Sequence, residues 1–304
     1  MTFGASAYTI PSTAAMATAR EARRGILVFL LVTFALSSVF YFLILSAGTL
    51  SAGGGNYVLG LMWSPGMAAL LTRLLFQRNL RGQGWGWGRW RYQVLSYALP
   101  LAYAAVVYIP LWLTGWGAFN LSFFDQVALR FGWEQTSQLV LLLKYLGFAA
   151  TVGVAGSCLS ALGEELGWRG FLVPELMKLT SFSRTCWISG AIWALWHYPV
   201  LLLADYRGAG PLWYSLLCFT VMVLGISFLF AWMRVKSGSV WTAMFLHATH
   251  NLFIQGVFDP LTADTGITGL LIGEFGAGLA IVGILVGYLS WRQRHQLPQS
   301  QESL

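Results

Sequence analysis

Between residues 25 and 291 the chain carries eight long apolar stretches almost free of charge, and no other feature narrows its fold as far. They cover approximately 25–46, 57–77, 93–114, 139–163 with a continuation beyond, 187–204, 211–233, 239–258 and 266–291. About 20 apolar residues in a helix cross the hydrocarbon of a bilayer. Of the 304 residues, 57% are hydrophobic and only 10% charged, with a mean hydropathy of +0.65. Soluble domains carry about 25% charged residues, so a water-soluble fold is excluded. The reading is an all-α, polytopic transmembrane bundle of about eight spans. The abundance of Gly (34), Trp (15), Phe (20) and Tyr (12) suits such a bundle, where glycine and interfacial aromatics are favoured. Cys158, Cys186 and Cys218 lie in or beside apolar stretches and suggest no disulfide framework.

Charge placement sets the orientation. With the N-terminus inside, Arg20, Arg23, Arg24, Arg73, Arg78, Arg81, Arg89, Arg91, Arg169, Lys178, Arg184, Arg234, Lys236, Arg292 and Arg294 fall on inside segments. These are 15 of the 18 Lys and Arg residues; Arg130, Lys144 and Arg207 fall outside or near an outer boundary. The opposite polarity would invert the positive-inside rule, so both termini are expected in the cytoplasm, as in a multi-pass protein of a bacterial inner membrane. The net charge of +7 is read as loops facing anionic lipid, with no nucleic-acid partner. Residues 1–24 are expected to form a disordered cytoplasmic tail, and 25–138 the first helices and loops. The Gly84–Gly88 run of alternating Gly and Trp, followed by Arg89, Trp90 and Arg91, reads as an interfacial anchor. The 115–138 connection is either an amphipathic surface segment or a lid.

Ionisable side chains inside a span are costly and mark function by default. The fourth span runs through Ser157, Ser160 and Gly163 into Glu164-Glu165 and on to Trp168, Arg169 and Pro174. The fifth holds Trp193 and His197, and the seventh His247, His250 and Asn251. If the fifth span starts near Trp187, His197 lies about 15 Å in at 1.5 Å per residue. If the seventh starts near Ser239, His247 lies about 12 Å in, and if the fourth helix ends at Pro174, Glu164 lies about 15 Å from that end. All three are therefore expected at one level, nearer the cytoplasm.

Spacing assigns faces within each helix. Glu165 and Arg169 are i,i+4 with the acid first, the favourable order for a helical ion pair. That leaves Glu164, about 100° around, to face the interior. His247 and Asn251 are also i,i+4 and share a face; His250 reads as a supporting residue on an adjoining stripe. Gly163, Gly167, Gly170, Ala191, Ala194, Ala243 and Ala248 would allow close helix approach. Glu274, about eight residues into the last span, has no visible partner and no assigned role.

A buried carboxylate beside an imidazole can activate water and later protonate a leaving amine. Glu164 with His197 suits that task, and His247 with Asn251 can stabilise the oxyanion of a tetrahedral intermediate. The implied reaction is amide hydrolysis by activated water. Neither G-x-S-x-G nor H-E-x-x-H occurs, which disfavours a serine elbow and a zincin helix. The same residue types serve proton relays, so a proton-coupled transporter competes, as does a non-catalytic membrane scaffold or immunity protein. Against the transporter, no repeated halves or matching broken helices are visible.

Glu164-Glu165-x-x-x-Arg169, Trp193-x-x-x-His197 and His247-x-x-x-Asn251, in this order on separate spans, resemble the three-motif signature of the CPBP family. These are the CAAX-protease and bacteriocin-processing intramembrane proteases, among them the type II CAAX prenyl endopeptidases and the Abi proteins. The similarity covers roughly residues 140–258; Trp193 departs from the usual phenylalanine, a change expected to alter packing more than chemistry. The resemblance implies a CPBP-like catalytic core at 139–258, and leaves 259–304 as the last span and a cytoplasmic C-terminal tail. It implies a site open towards cytoplasm and membrane, with Glu164 as acid/base, His197 assisting, and His247 and Asn251 forming the oxyanion site. Glu165 and Arg169 complete the candidate site residues. Such enzymes are named metalloproteases, yet a metal-free glutamate mechanism is also proposed. Glu164, His197 and His247 would make a three-ligand Zn2+ set with an open position, although a zinc-bound Glu164 could not serve freely as base. The implied partner is a peptide or protein substrate reached from membrane or cytoplasm; its identity, its prenylation and the oligomeric state stay open.

Overall fold

The computed structural model describes residues 13–133 and 137–298. Most of them are helical: α1 Thr13–Ala47, α2 Asn56–Phe76, α3 Trp90–Thr114, α4 Ser122–Phe131, α5 Gln138–Phe148, α6 Val154–Gly167, α7 Val173–Met177, α8 Phe182–Leu203, α9 Leu212–Ser237, α10 Val240–Asn251 and α11 Ala277–Arg292. A two-residue antiparallel pairing joins β1 (Ala118–Phe119) to β2 (Thr262–Ala263). Six helical segments are long and apolar enough to cross a membrane: Ala17–Ala47, Ala52–Phe76, Trp90–Thr114, Gln138–Met177, Phe182–Leu203 and Leu212–Ser237. The chain is thus a multi-pass membrane protein. The two other expected spans are helical but shorter or interrupted: α10 continues as π-helical turns Leu252–Phe258, and α11 has 16 residues.

Several expectations change. Helix α1 begins at Thr13, inside the stretch read as a disordered tail; Ala17, Ala19 and Ala22 are strong helix formers. Residues 1–12 lie outside the described residues. The 115–138 connection forms the amphipathic helix α4, which buries Phe124, Val127 and Ala128. Helix α8 starts five residues earlier than its apolar run because Ser181 caps it, accepting from the Arg184 N–H. His197 is therefore about 22 Å along α8 and six residues from its end at Leu203. Distance from a helix start is therefore a poor measure of where these groups sit, yet Glu164, His197 and His247 still meet on one cavity.

The α5–α7 segment is one 40-residue helical run, about 60 Å long and twice the thickness of a bilayer core. Two π-helical stretches, Ala149–Gly153 and Trp168–Leu172, fall within it. The helix continues past Pro174 to Met177. Proline has no N–H to offer Gly170, one turn earlier. The Gly170 carbonyl instead accepts from Arg73 Nη2 at 3.2 Å. Arg234 Nε takes the Arg169 carbonyl at 3.0 Å, and Gln83 Nε2 the Leu166 carbonyl at 3.0 Å. Arg73 and Arg234, counted above as loop charges, are buried plugs at this end of the bundle.

Close backbone contact positions α6. A Cβ on Gly163 would stand 2.7 Å from the Trp63 Cα, and one on Gly167 2.4 Å from the Pro65 Cβ, so α2 lies directly on α6. Helix α10 packs against the remaining side of α6 and against α3, and α8 and α11 flank α9. Glycine at these contacts is a steric requirement, since any side chain would separate the helices.

Candidate active site

Glu164 is 1% exposed, near the C-terminal end of α6. Its Oε2 accepts two indole N–H groups, from Trp193 at 2.8 Å and Trp168 at 3.2 Å. Trp168 stands four residues on along the same helical run, and Trp193 reaches over from α8. Both donors converge on one oxygen, leaving Oε1 without a protein partner among the described residues. Trp193 was expected to matter for packing; its indole instead acts directly on the carboxylate.

Glu165, next in sequence, points elsewhere. Arg169 Nη1 donates to both its oxygens at 2.9 and 3.2 Å, the ion pair expected from the i,i+4 spacing. The guanidinium lies over the rings of Trp193, at 4.1 Å, and Phe230, at 4.6 Å. Oε1 of Glu165 also meets His247 Nδ1 at 2.8 Å. A carboxylate accepts, so Nδ1 is the donor and Nε2 is the ring nitrogen left for other work. His197 is fixed in the same sense: its Nδ1 lies 2.8 Å from the Trp193 carbonyl, which also only accepts, leaving Nε2 with a lone pair.

A cavity of about 250 Å³ gathers Glu164, His197, His247, His250, Asn251 and Glu274. Four of the six sequence-derived site residues therefore share it, while Glu165 and Arg169 stand behind it and hold His247. Asn251 has no side-chain hydrogen bond among the described residues. The walls are apolar, with Val58, Leu61, Met62, Val223 and Ile226 among them. Leu50, Tyr206 and Glu274 belong to the α1–α2, α8–α9 and α10–α11 connections. The cavity thus extends towards the bundle end away from Arg73 and Arg234, which charge counting puts outside.

Glu274 corrects the sequence reading. It precedes α11 and lies outside the helix, because Gly273, at φ +71, and Gly276 interrupt the apolar run. It is 6% exposed and fully partnered. Oε2 accepts from Tyr206 Oη at 2.5 Å and Gln255 Nε2 at 3.0 Å; Oε1 accepts from His250 Nε2 at 3.2 Å. His250 Nδ1 in turn meets the Tyr103 hydroxyl. Spacing along the chain carries no trace of these contacts, which join five elements.

Glu164 Oε2 is already occupied by two indoles. Among the described residues no group of three or more His, Cys, Asp or Glu side chains is arranged to hold an ion. The set Glu164, His197 and His247 does not fit zinc as placed.

Fold and site together define a polytopic membrane protein with a buried acid–histidine centre at the junction of α6, α8 and α10. Residues 146–253 match the family model described as Type II CAAX prenyl endopeptidase Rce1-like. The CAAX prenyl protease 2 of Methanococcus maripaludis is 32% identical over 120 residues, 37% of this chain. The aligned stretch is 43% of that relative's length. The resemblance seen in the three motifs is borne out over this segment, which contains Glu164, Glu165, Arg169, His197, His247 and Asn251.

Proposed function

We propose that the protein is an intramembrane endopeptidase that hydrolyses peptide bonds with a water activated by Glu164 and His197. The observation that carries this reading is the division of labour on Glu164. Two indoles immobilise Oε2 and leave Oε1 without a protein partner among the described residues, and Glu164 lines a cavity with His197, His247 and Asn251. A carboxylate held by one oxygen presents the other in a set direction, which is what a general base needs.

The water gives a proton to Glu164 while its oxygen bonds to the scissile carbonyl carbon; the lone pair on His197 Nε2 accepts a hydrogen bond from the same water. Negative charge develops on the former carbonyl oxygen. The Asn251 amide and a proton on His247 Nε2 would stabilise it; Glu165 compensates the charge of that imidazolium. Collapse breaks the C–N bond, and the proton held by Glu164 passes to the leaving amine. The substrate is a peptide or protein segment reached from the membrane, apolar enough to suit the cavity walls. The same reading takes the protein to be in a bacterial inner membrane with both termini cytoplasmic; the placement of 15 of the 18 basic residues supports the orientation.

The test pairs wild type with Glu164→Gln and Glu164→Ala in detergent, incubated with a pooled peptide library and read by mass spectrometry. Cleavage by wild type alone, unaffected by a zinc chelator, is expected. Cleavage by all three, or by none, would overturn the reading. Proton flux in liposomes that stops with Glu164→Gln would replace it with a transporter.

A further inference from the structure

The cavity holds a second buried carboxylate–imidazole pair, Glu274 with His250, for which the hydrolytic scheme has no use. The two acids differ in how they are satisfied. Glu164 keeps one oxygen free, whereas both oxygens of Glu274 are engaged by Tyr206, Gln255 and His250. A carboxylate so saturated is built to hold its neighbours, not to take up a proton from water. What it holds matters: the Tyr206 ring lies nearly parallel to His197, centroids 6.2 Å apart at 30°. Phe219 meets both rings edge-on, at 5.1 Å to His197 and 6.0 Å to Tyr206. Phe275, beside Glu274, packs edge-on against Tyr206 at 5.0 Å.

His197 is otherwise held by one hydrogen bond, at Nδ1, and by edge-on contacts from Trp196 at 4.8 Å and Trp193 at 6.0 Å; these leave the ring face towards Tyr206 to be closed. An aromatic wall on that face closes it, provided the wall itself is anchored. Tyr206 sits on a loop, the α8–α9 connection, and its hydroxyl bond to Glu274 is the anchor. We propose that Glu274 is a positioning residue that, through Tyr206, sets the orientation of the His197 imidazole in the cavity. This rests on the endopeptidase reading for its catalytic consequence, but the ring orientation is independent of it.

The experiment uses full-length protein labelled with [15N]histidine. The chain has four histidines, so ring nitrogen signals can be assigned by single substitutions. Glu274→Ala and Tyr206→Phe should each move the His197 ring signals, and kcat on the library-derived peptide should fall about tenfold, the scale of one oriented hydrogen bond, with KM within about twofold. The double variant should fall no further than Tyr206→Phe, since both act along one path. Glu274→Gln offers Tyr206 an acceptor and His250 a donor. It should switch the His250 tautomer yet return the His197 signals and kcat towards wild type, which a general loss of packing would not do. His197 signals unmoved by both Glu274→Ala and Tyr206→Phe would overturn the proposal, as would wild-type kcat in both. If Glu274→Ala fails to fold, Tyr206→Phe, which removes one hydroxyl, decides alone. Should wild type cleave nothing, the endopeptidase reading fails while the ring spectra still decide this one.

Discussion

Trp193 Nε1 and Glu164 Oε2 are joined across 2.8 Å, between two helices and 29 residues of chain. Trp193→Phe keeps a ring over Arg169 but deletes the donor. A hydrogen bond to a charged acceptor contributes about 1.5–3 kcal/mol, so kcat should fall at least tenfold, with only Trp168 left to orient the carboxylate. Steady-state kinetics checks this; an unchanged kcat in a folded variant would show that the indole bond is incidental.

The Glu165–Arg169 pair is fully buried, with side chains 0% and 2% exposed. Removing one partner of such a pair costs about 3–5 kcal/mol, because the other charge is stranded. Arg169→Ala is therefore expected to unfold readily in detergent and to lose the positioning of His247. Glu165→Gln with Arg169→Gln together should recover stability relative to Arg169→Ala, without activity. Thermal unfolding of the single and double variants tests the sign.

At the α2–α6 contact, Gly163→Ala places a methyl against the Trp63 backbone, which cannot yield as a flexible side chain would. Overpacking of this kind costs about 1–3 kcal/mol. Gly86→Ala, where nothing lies within 4 Å, is the control and should be neutral. Equal melting temperatures for the two variants would contradict the close approach.

Asp205 ties the α8–α9 connection to the α1–α2 connection, accepting from the Leu50 N–H at 2.9 Å and the Thr49 hydroxyl at 2.8 Å. Slight burial raises its carboxyl, but the two bonds outweigh this and hold it below the usual carboxylate range. A folded-state pKa below the unfolded one adds stability above the unfolded value of about 3.9, and that stability is lost as pH falls through the folded value. Asp205→Asn should thus melt slightly below wild type at pH 7, and the gap should close as the pH is taken below 4. A gap that widens in acid would reverse the assignment.

Much of this was legible in one dimension. Long apolar runs identify a helical membrane bundle because lipid leaves a backbone almost no other way to satisfy its hydrogen bonds. The i,i+4 spacings of Glu165 with Arg169 and of His247 with Asn251 are local facts of a helix, and the structure keeps both. Three charged or polar motifs inside apolar runs picked out Glu164, His197, His247 and Asn251 of the cavity, since such groups are rarely buried without company. The tertiary structure decided everything that depends on which helix lies beside which. It turned Trp193 from packing into a carboxylate ligand and took Arg73 and Arg234 out of the loops to cap carbonyls freed around a π-helical stretch. It also gave Glu274 three partners drawn from three elements. Hydrogen bonds between distant segments leave no periodicity behind; only the packed bundle, held close at Gly163 and Gly167, selects them.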